Sequence, residues 1–206
     1  DLRFVSLASN EELEYEVVNW DPTGTSSFWL KLPKLNGATS VKALWGNQSA
    51  LVQPGYSKDG RIWSQYRGVW HMDGTADDLV KESSSSFHAI PYNFETLRAP
   101  GVIGTALSFD GVNDYLEMPL DSHRSEDARK MTFSFWSYGG TKHLNNNSLL
   151  ESGSSLGRHL NIHLPWSNAR VYWDAGVGGI DRIEKDDPVY SGRWTYWVFQ
   201  KDRDTG

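Results

Sequence analysis

Short runs of strand-forming residues, separated by turn-forming residues, recur along the whole chain and restrict its fold more than any other feature. Runs of Val, Ile, Phe, Tyr and Trp alternate with Gly, Asn, Asp, Ser and Pro. No window repeats apolar residues at helical spacing over three turns, and one or two helical turns over 122–130, capped by Ser122, are the best helix candidate. Many short strands predict an all-β chain, an antiparallel β-sandwich. The predicted strands cover 2–7, 15–20, 27–31, 40–45, 68–71, 106–109, 115–118, 131–136, 148–151, 159–164, 169–173 and 195–200.

Composition excludes several classes of protein. The chain has no Cys, which excludes disulfide scaffolds, thiolate zinc sites and Cys nucleophiles. A net charge of −6 argues against nucleic acid as a partner, because such proteins usually carry a basic surplus. No apolar run approaches the ~18–20 residues that a membrane span needs.

The two ends of the sequence suggest a piece of a larger polypeptide. The chain begins with Asp1 instead of Met, and no signal segment precedes it. Its last apolar run is followed by a turn signal, 202–206, with no returning strand. We therefore expect both ends to continue into further sequence.

One hairpin is predicted in detail, because two alternating runs flank the loop 165–168. A four-residue loop places His163 opposite Arg170, and this pairing separates an apolar face from a polar face. The polar face is either solvated or a ligand-binding surface, since groups that hydrogen bond and stack on a polyol converge there. At the hairpin tip, Trp166 either stacks on a sugar or partner, or folds back onto the sheet. The candidate ligand-binding residues are His159, Asn161, His163, Trp166, Arg170, Tyr172 and Asp174.

Two stretches resemble the laminin-G-like, concanavalin A-like jelly-roll family. Residues 68–73 read G-V-W-H-M-D, and residues 106–115 read A-L-S-F-D-G-V-N-D-Y. The segments T-F-S-F-W at 132–136 and R-W-T-Y-W-V at 193–198 are similar to later strands of that family. The resemblance implies a concanavalin A-like jelly roll over 67–206, with its C-terminal strands missing.

The first 66 residues resemble a second bacterial family, the domain of unknown function 2341. The matching pieces are D-L-R-F at 1–4, W-L-K-L-P at 29–33 and L-W-G-N at 44–47. This resemblance implies a truncated β-sandwich module over 1–66. Modules in this order are typical of bacterial proteins that are extracellular, on the cell surface or in the periplasm.

The resemblance implies a non-catalytic binding or adhesion module, whose partner is a glycan or another surface protein, within a larger exported bacterial protein. The alternative is a structural periplasmic or surface spacer, as in ExbB/TolQ-type proton-channel proteins. Glycoside hydrolases share the fold but need two carboxylates that flank the scissile bond. Glu151 and Glu184 are isolated in the sequence, without a second carboxylate at a suitable spacing. The G-S-S-L-G segment at 153–157 matches G-x-S-x-G, without the helix of a nucleophile elbow. We expect no enzyme activity.

Metal binding stays open at this point. Jelly rolls of this kind often hold a structural calcium ion, which prefers carboxylate and carbonyl oxygens. His159 and His163 share a strand face but lie ~13 Å apart along it, too far for one zinc ion. The candidate calcium ligands are Asp73, Asp77, Asp78, Asp110, Asn113 and Asp114.

Overall fold

In the computed structural model, antiparallel β-strands dominate the part of the chain that the structure describes. The described residues are 1–50, 52–72, 83, 87–95, 98–119, 130–140, 148–154, 157–176, 181–186, 191–202 and 204. Two single turns of 3-10 helix, Gly55–Ser57 and Arg61–Trp63, lie within these ranges. The prediction of a chain built mostly from β-strands is confirmed. The strands are β1 (Arg3–Ser6), β2 (Glu12–Leu13), β3 (Tyr15–Asn19), β4 (Ser27–Leu30), β5 (Val41–Leu44), β6 (Ile90–Tyr92), β7 (Ala99–Pro100), β8 (Thr105–Ala106), β9 (Tyr115–Glu117), β10 (Lys130–Tyr138), β11 (Leu150–Ser154), β12 (Gly157–His163), β13 (Arg170–Ala175), β14 (Arg182–Asp186) and β15 (Trp194–Asp202).

Contacts divide the chain into two units, Asp1–Arg124 and Ser125–Gly206. Strands β1 to β9 lie in the first unit, and β10 to β15 lie in the second. The predicted modules 1–66 and 67–206 rest on sequence resemblance, and their boundary stays a prediction. The predicted helical turns at 122–130 fall outside the described residues except for Lys130, which begins β10.

The first unit is built on a small antiparallel sheet of order β2-β1-β5 and on the β3–β4 hairpin. Its core is aromatic. Tyr15 is fully buried, and its ring meets that of Phe4 edge-on at 5.2 Å between centroids. The Tyr15 hydroxyl donates to the Leu2 carbonyl at 2.9 Å, so this buried phenol keeps a hydrogen-bond partner.

A polar cluster is centred on Glu16 of strand β3. We call it the Glu16 cluster, and it consists of Glu16, Trp29, Trp63, His71 and Ser83. Glu16 Oε1 and His71 Nε2 lie 2.9 Å apart, and the indole N–H of Trp63 donates to Glu16 Oε2. Ser83 donates to Glu16 Oε1 at 3.3 Å, and the Trp29 ring stacks on His71 at 6.0 Å and 14°. Burial raises the pKa of Glu16, but the hydrogen bonds from His71 and Trp63 outweigh burial, so this pKa lies below its ordinary value.

The second unit contains a two-stranded sheet, β10–β15, and a four-stranded sheet of order β11-β12-β13-β14. Strands β10 and β15 pair along nine residues, so inward and outward side chains alternate along both. Phe133 and Phe199 point inward and contact Trp173 of β13 at 6.0 and 5.7 Å between ring centroids. The two sheets therefore share one core, which contains Leu160, Ile162, Val171, Trp173, Ala175 and Phe199.

Strands β12 and β13 form the predicted hairpin, but in a different register. His163 pairs with Tyr172, where the sequence predicted Arg170. The loop covers six residues, 164–169, because the Trp166 N–H donates to the Arg170 carbonyl at 2.8 Å and the Ala169 N–H to the Trp166 carbonyl at 2.9 Å. These local bonds add two residues to the predicted loop. A two-residue shift keeps every side chain on its predicted face, so the separation of polar and apolar faces survives.

Other strand predictions need correction. Of 68–71, only Trp70 forms a bridge, and of 106–109 only Ala106 belongs to a strand. Strand β9 pairs with β6, which the sequence patterns did not indicate. Strand β14 was also missed, because its residues R-I-E-K-D carry a single apolar side chain and lie at the edge of the sheet.

Candidate functional site

The predicted ligand-binding residues lie on the four-stranded sheet, and most of them are buried. The exposed fractions are 0% for Asn161, 4% for His163, 7% for Tyr172 and 4% for Asp174. The interpretation that this face lies in water is therefore wrong for these four residues. His159 belongs to strand β12, but its side chain lies outside the described part. The polar face, as we use the term, consists of Asn161, His163, Arg170, Tyr172 and Asp174 with Arg182, Glu184 and Asp186 of β14.

An ion pair to the edge strand β14 covers the inner part of the polar face. Arg182 donates from Nε and Nη2 to the two carboxylate oxygens of Asp174, at 2.6 and 2.7 Å. Its guanidinium lies over the Tyr172 ring, 4.5 Å from the centroid. Hydrogen bonding to Asp174 raises the pKa of Arg182. Asp174 is thus the ion-pair partner of Arg182.

The outer part of the polar face is more open. Arg170 is paired with Glu184 and, at 2.9 Å, with Asp186. The exposed fractions of these side chains are 40%, 46% and 84%, respectively. Exposed ion pairs of this kind contribute little to stability because water screens them. This end of the face is available for contact with a partner.

The hairpin tip is folded back onto the strands. The Trp166 ring lies 4.3 Å from the His163 ring between centroids, and Trp166 is half-buried. Asn168 Nδ2 donates to the Tyr172 hydroxyl at 2.6 Å. Of the two interpretations of Trp166, the structure therefore shows the folded-back one.

One polar atom on the polar face lacks a partner. Asn161 Nδ2 donates to Ser148 Oγ at 3.0 Å and to Glu151 Oε2 at 3.3 Å. Asn161 Oδ1 is buried and accepts no hydrogen bond among the described residues. Leaving such an acceptor unpaired costs about 1–3 kcal/mol. The ligand-binding role of this face stays a prediction, and a ligand that reached His163 or Asp174 would have to displace Trp166 or Arg182.

The carboxylates considered for glycoside hydrolysis have structural partners. Glu151 accepts from Ser148 Oγ at 3.1 Å, and Glu184 pairs with Arg170. Of the G-S-S-L-G segment, Gly153 and Ser154 belong to strand β11 and Gly157 to β12, and Ser154 pairs with Gly157. Ser155 lies outside the described residues.

The calcium candidates divide into two groups. Asp73, Asp77 and Asp78 lie outside the described residues. Asp110 and Asp114 close a turn, in which Asp110 Oδ1 accepts the Val112 N–H at 2.7 Å and Asp114 Oδ2 accepts the Asp110 N–H at 2.8 Å. Within the described ranges, no three His, Asp or Glu side chains converge as a metal site requires. A structural calcium ion remains a prediction.

A second surface, which sequence reasoning missed, lies on the outer side of the β10–β15 sheet. Trp136 and Tyr196 are cross-strand neighbours, 5.2 Å apart between ring centroids, and Tyr138 and Trp194 are neighbours at 5.6 Å. The exposed fractions are 45% for Trp136, 55% for Tyr138 and 52% for Tyr196. We call these four side chains the aromatic face.

A signal for the aromatic face is present in the sequence. Residues 130–138 alternate strictly, so Phe133 and Phe135 must point opposite to Trp136 and Tyr138. Arg182 was missed because strand β14 carries too few apolar residues to be recognised.

No helix in the described ranges has the length and apolar character needed to cross a bilayer. Compared with known family models, with curated proteins and with solved structures, the chain shows no match.

Proposed function

We propose that the chain is a non-catalytic glycan-binding module of a larger exported bacterial protein, and that the aromatic face binds the glycan. One observation carries this proposal: four aromatic side chains lie together on one sheet surface, and three of them are about half exposed. Burying such rings in the core would be more favourable than exposing them. Their exposure therefore indicates a partner.

The chemistry of the aromatic face suits a neutral sugar. Pyranose rings offer an apolar C–H surface to an aromatic ring and hydroxyl groups to polar neighbours. Ser134, Thr132 and Gln200 lie on the same side of the sheet and supply hydroxyl and amide groups. At the end of the face, Lys130 pairs with Asp202 at 3.2 Å, so its charge is balanced.

The inclination of the rings favours separate sugar units over a flat surface. The planes of Trp136 and Tyr196 meet at 46°, and those of Tyr138 and Trp194 meet at 65°. Rings at these angles cannot form one plane against a crystalline polysaccharide. A soluble, twisted oligosaccharide can place successive sugars on differently inclined rings.

For the fold, we infer a β-sandwich of the concanavalin A-like jelly-roll type. The support comes from the second unit, where β10 and β15 pack against β12 and β13 around one core. The sequence resemblance of 106–115 and 132–136 adds to this support. Export and attachment to a bacterial surface or periplasm belong to the same proposal.

The test is titration of the ¹⁵N-labelled chain with soluble cello-, xylo-, chito- and manno-oligosaccharides. The indole N–H signal of Trp136 is assigned with Trp136→Ala and followed during the titration. We expect it to shift with at least one class of sugar. In the variant with both Trp136 and Tyr196 replaced by Ala, binding is followed at the indole N–H of Trp194 and is expected to weaken by tenfold or more, about 1.4 kcal/mol or more, as for aromatic anchors in other interfaces.

Trp20→Ala is the matched control, because Trp20 is 61% exposed and lies in the first unit. Its replacement is expected to leave the titration at Trp136 unchanged. The proposal fails if the double variant binds sugars as tightly as the parent chain, or if no sugar in the panel shifts the Trp136 signal.

A structural spacer is the second candidate function. The polar face favours it, because buried Asp174 is held by Arg182 and buried Tyr172 lies under the same guanidinium. Such internal pairing stiffens a sheet without needing a ligand. Absence of sugar binding at Trp136, together with high resistance of β12 and β13 to hydrogen exchange, would favour this candidate.

A further inference from the structure

An open cleft in the first unit lies at the end of strand β5, and its lining shares no residue with the polar face or the aromatic face. Its volume is about 430 Å³, and Asp1, Arg3, Trp45 and Asn47 line it. Small-molecule sites usually measure about 300–1,000 Å³, so one sugar-sized ligand fits.

Trp45 forms an apolar wall of this cleft. Strand β5 ends at Leu44, and Gly46, at φ +84°, turns the chain directly after Trp45. Trp45 is 74% exposed, and no aromatic ring in the described part of the chain packs against it. A Trp side chain in this position has a ring surface available to a ligand.

The polar groups of the cleft differ in their availability. The Arg3 guanidinium already has partners within the chain, because it pairs with Glu12 at 3.2 Å and donates to the Leu2 carbonyl at 2.8 Å. Asn47 Oδ1 accepts the Ser49 N–H at 3.0 Å, which fixes the amide and leaves its Nδ2 as a donor. Asp1 adds a carboxylate, which accepts hydrogen bonds.

We propose that this cleft is a saccharide-binding site in its own right, with Trp45 stacking on the sugar and Asn47 and Asp1 bonding its hydroxyl groups. A pyranose combines an apolar ring face with neighbouring hydroxyls that both donate and accept, which matches these three groups. Arg3 is paired with Glu12, so its guanidinium is not available to bind an anionic ligand. The chain would then carry one sugar site in each unit.

The experiment uses the whole ¹⁵N-labelled chain and the same oligosaccharide panel, with the indole N–H signal of Trp45 as the readout. We expect this signal to shift on addition of sugar. In Trp45→Ala, where the titration is followed at the backbone amide of Gly46, affinity should fall by tenfold or more. Trp20→Ala is again the control, since Trp20 lies in the same unit and is 61% exposed. It should change nothing at Trp45.

The two sites are tested separately. The double variant of Trp136 and Tyr196 should leave the Trp45 titration intact, whatever it does to the aromatic face. A Trp45 signal that no sugar shifts overturns this inference and leaves the proposal for the aromatic face standing. Tetramethylammonium is the competing probe, because an exposed Trp beside a carboxylate can also hold a quaternary ammonium ion. Binding of that ion at Trp45 without any sugar binding overturns the inference as well.

Discussion

The ion pair between Arg182 and Asp174 gives the sharpest test of how the polar face is held. The Asp174 side chain is 5% exposed, whereas that of Arg182 is 40% exposed. Arg182→Ala removes both hydrogen bonds to the carboxylate and leaves its buried charge without a partner among the described residues. Breaking a buried pair costs about 3–5 kcal/mol. Because water can enter where the exposed guanidinium lay, we expect a smaller loss, about 2–4 kcal/mol of unfolding free energy in the second unit.

Arg170→Ala is the matched control on the same face. Arg170 pairs with two exposed carboxylates, so its loss is expected to change stability little. The double variant Arg182→Ala with Asp174→Asn should be more stable than Arg182→Ala alone, because the stranded charge is then gone.

The assay is hydrogen exchange of the β12 and β13 amides across a urea series. A single probe of the whole chain is unsuitable, since the two units need not unfold together. The reasoning is refuted if Arg182→Ala destabilises these strands no more than Arg170→Ala, or if Asp174→Asn gives no rescue.

Two further predictions concern the Glu16 cluster and the hairpin loop. Because the pKa of Glu16 is lowered in the folded state, its contribution to stability is present above its ordinary pKa of 4.5 and is lost as pH falls through the folded value. Glu16→Gln should therefore make the stability of the first unit, followed by circular dichroism, less dependent on pH in acid. An unchanged pH profile would contradict this. Ala169 has φ +62°, a backbone conformation that costs a non-glycine residue about 1–2 kcal/mol. Ala169→Gly removes this cost but gives the unfolded chain more conformational entropy, so we expect it to stabilise the second unit by up to about 1 kcal/mol. Ala43→Gly, within strand β5, should destabilise instead, and a lower urea midpoint for Ala169→Gly would contradict the strain argument.

The alternation of polar and apolar side chains along the strands was the part of the fold that could be predicted from sequence. The separation of polar and apolar faces in β12 and β13 follows from a period of two and survives the change in register. The register itself depends on the loop, where hydrogen bonds among Trp166, Ala169 and Arg170 add two residues. Local composition does not encode those bonds.

The candidate site was only partly predictable, for a related reason. The sequence placed Asn161, Tyr172 and Asp174 on one face, and the structure does so too. The partner of Asp174 and Tyr172 on that face is Arg182, which belongs to a strand with too little apolar character to be recognised. Exposure of Trp136 depends on which side of the β10–β15 sheet carries the core, and one strand alone does not specify that side.

The Glu16 cluster also has a practical consequence for anyone who dissects the chain. A cut between residues 66 and 67, at the boundary suggested by sequence resemblance, would place Glu16, Trp29 and Trp63 on one fragment and His71 on the other. The first fragment would keep the half-buried carboxylate of Glu16 without the imidazole of His71. The second fragment would carry His71 near its start, without the Glu16 carboxylate and without the Trp29 ring that stacks on it. Fragments for binding or crystallisation work are better divided near residue 124, where the Glu16 cluster stays whole.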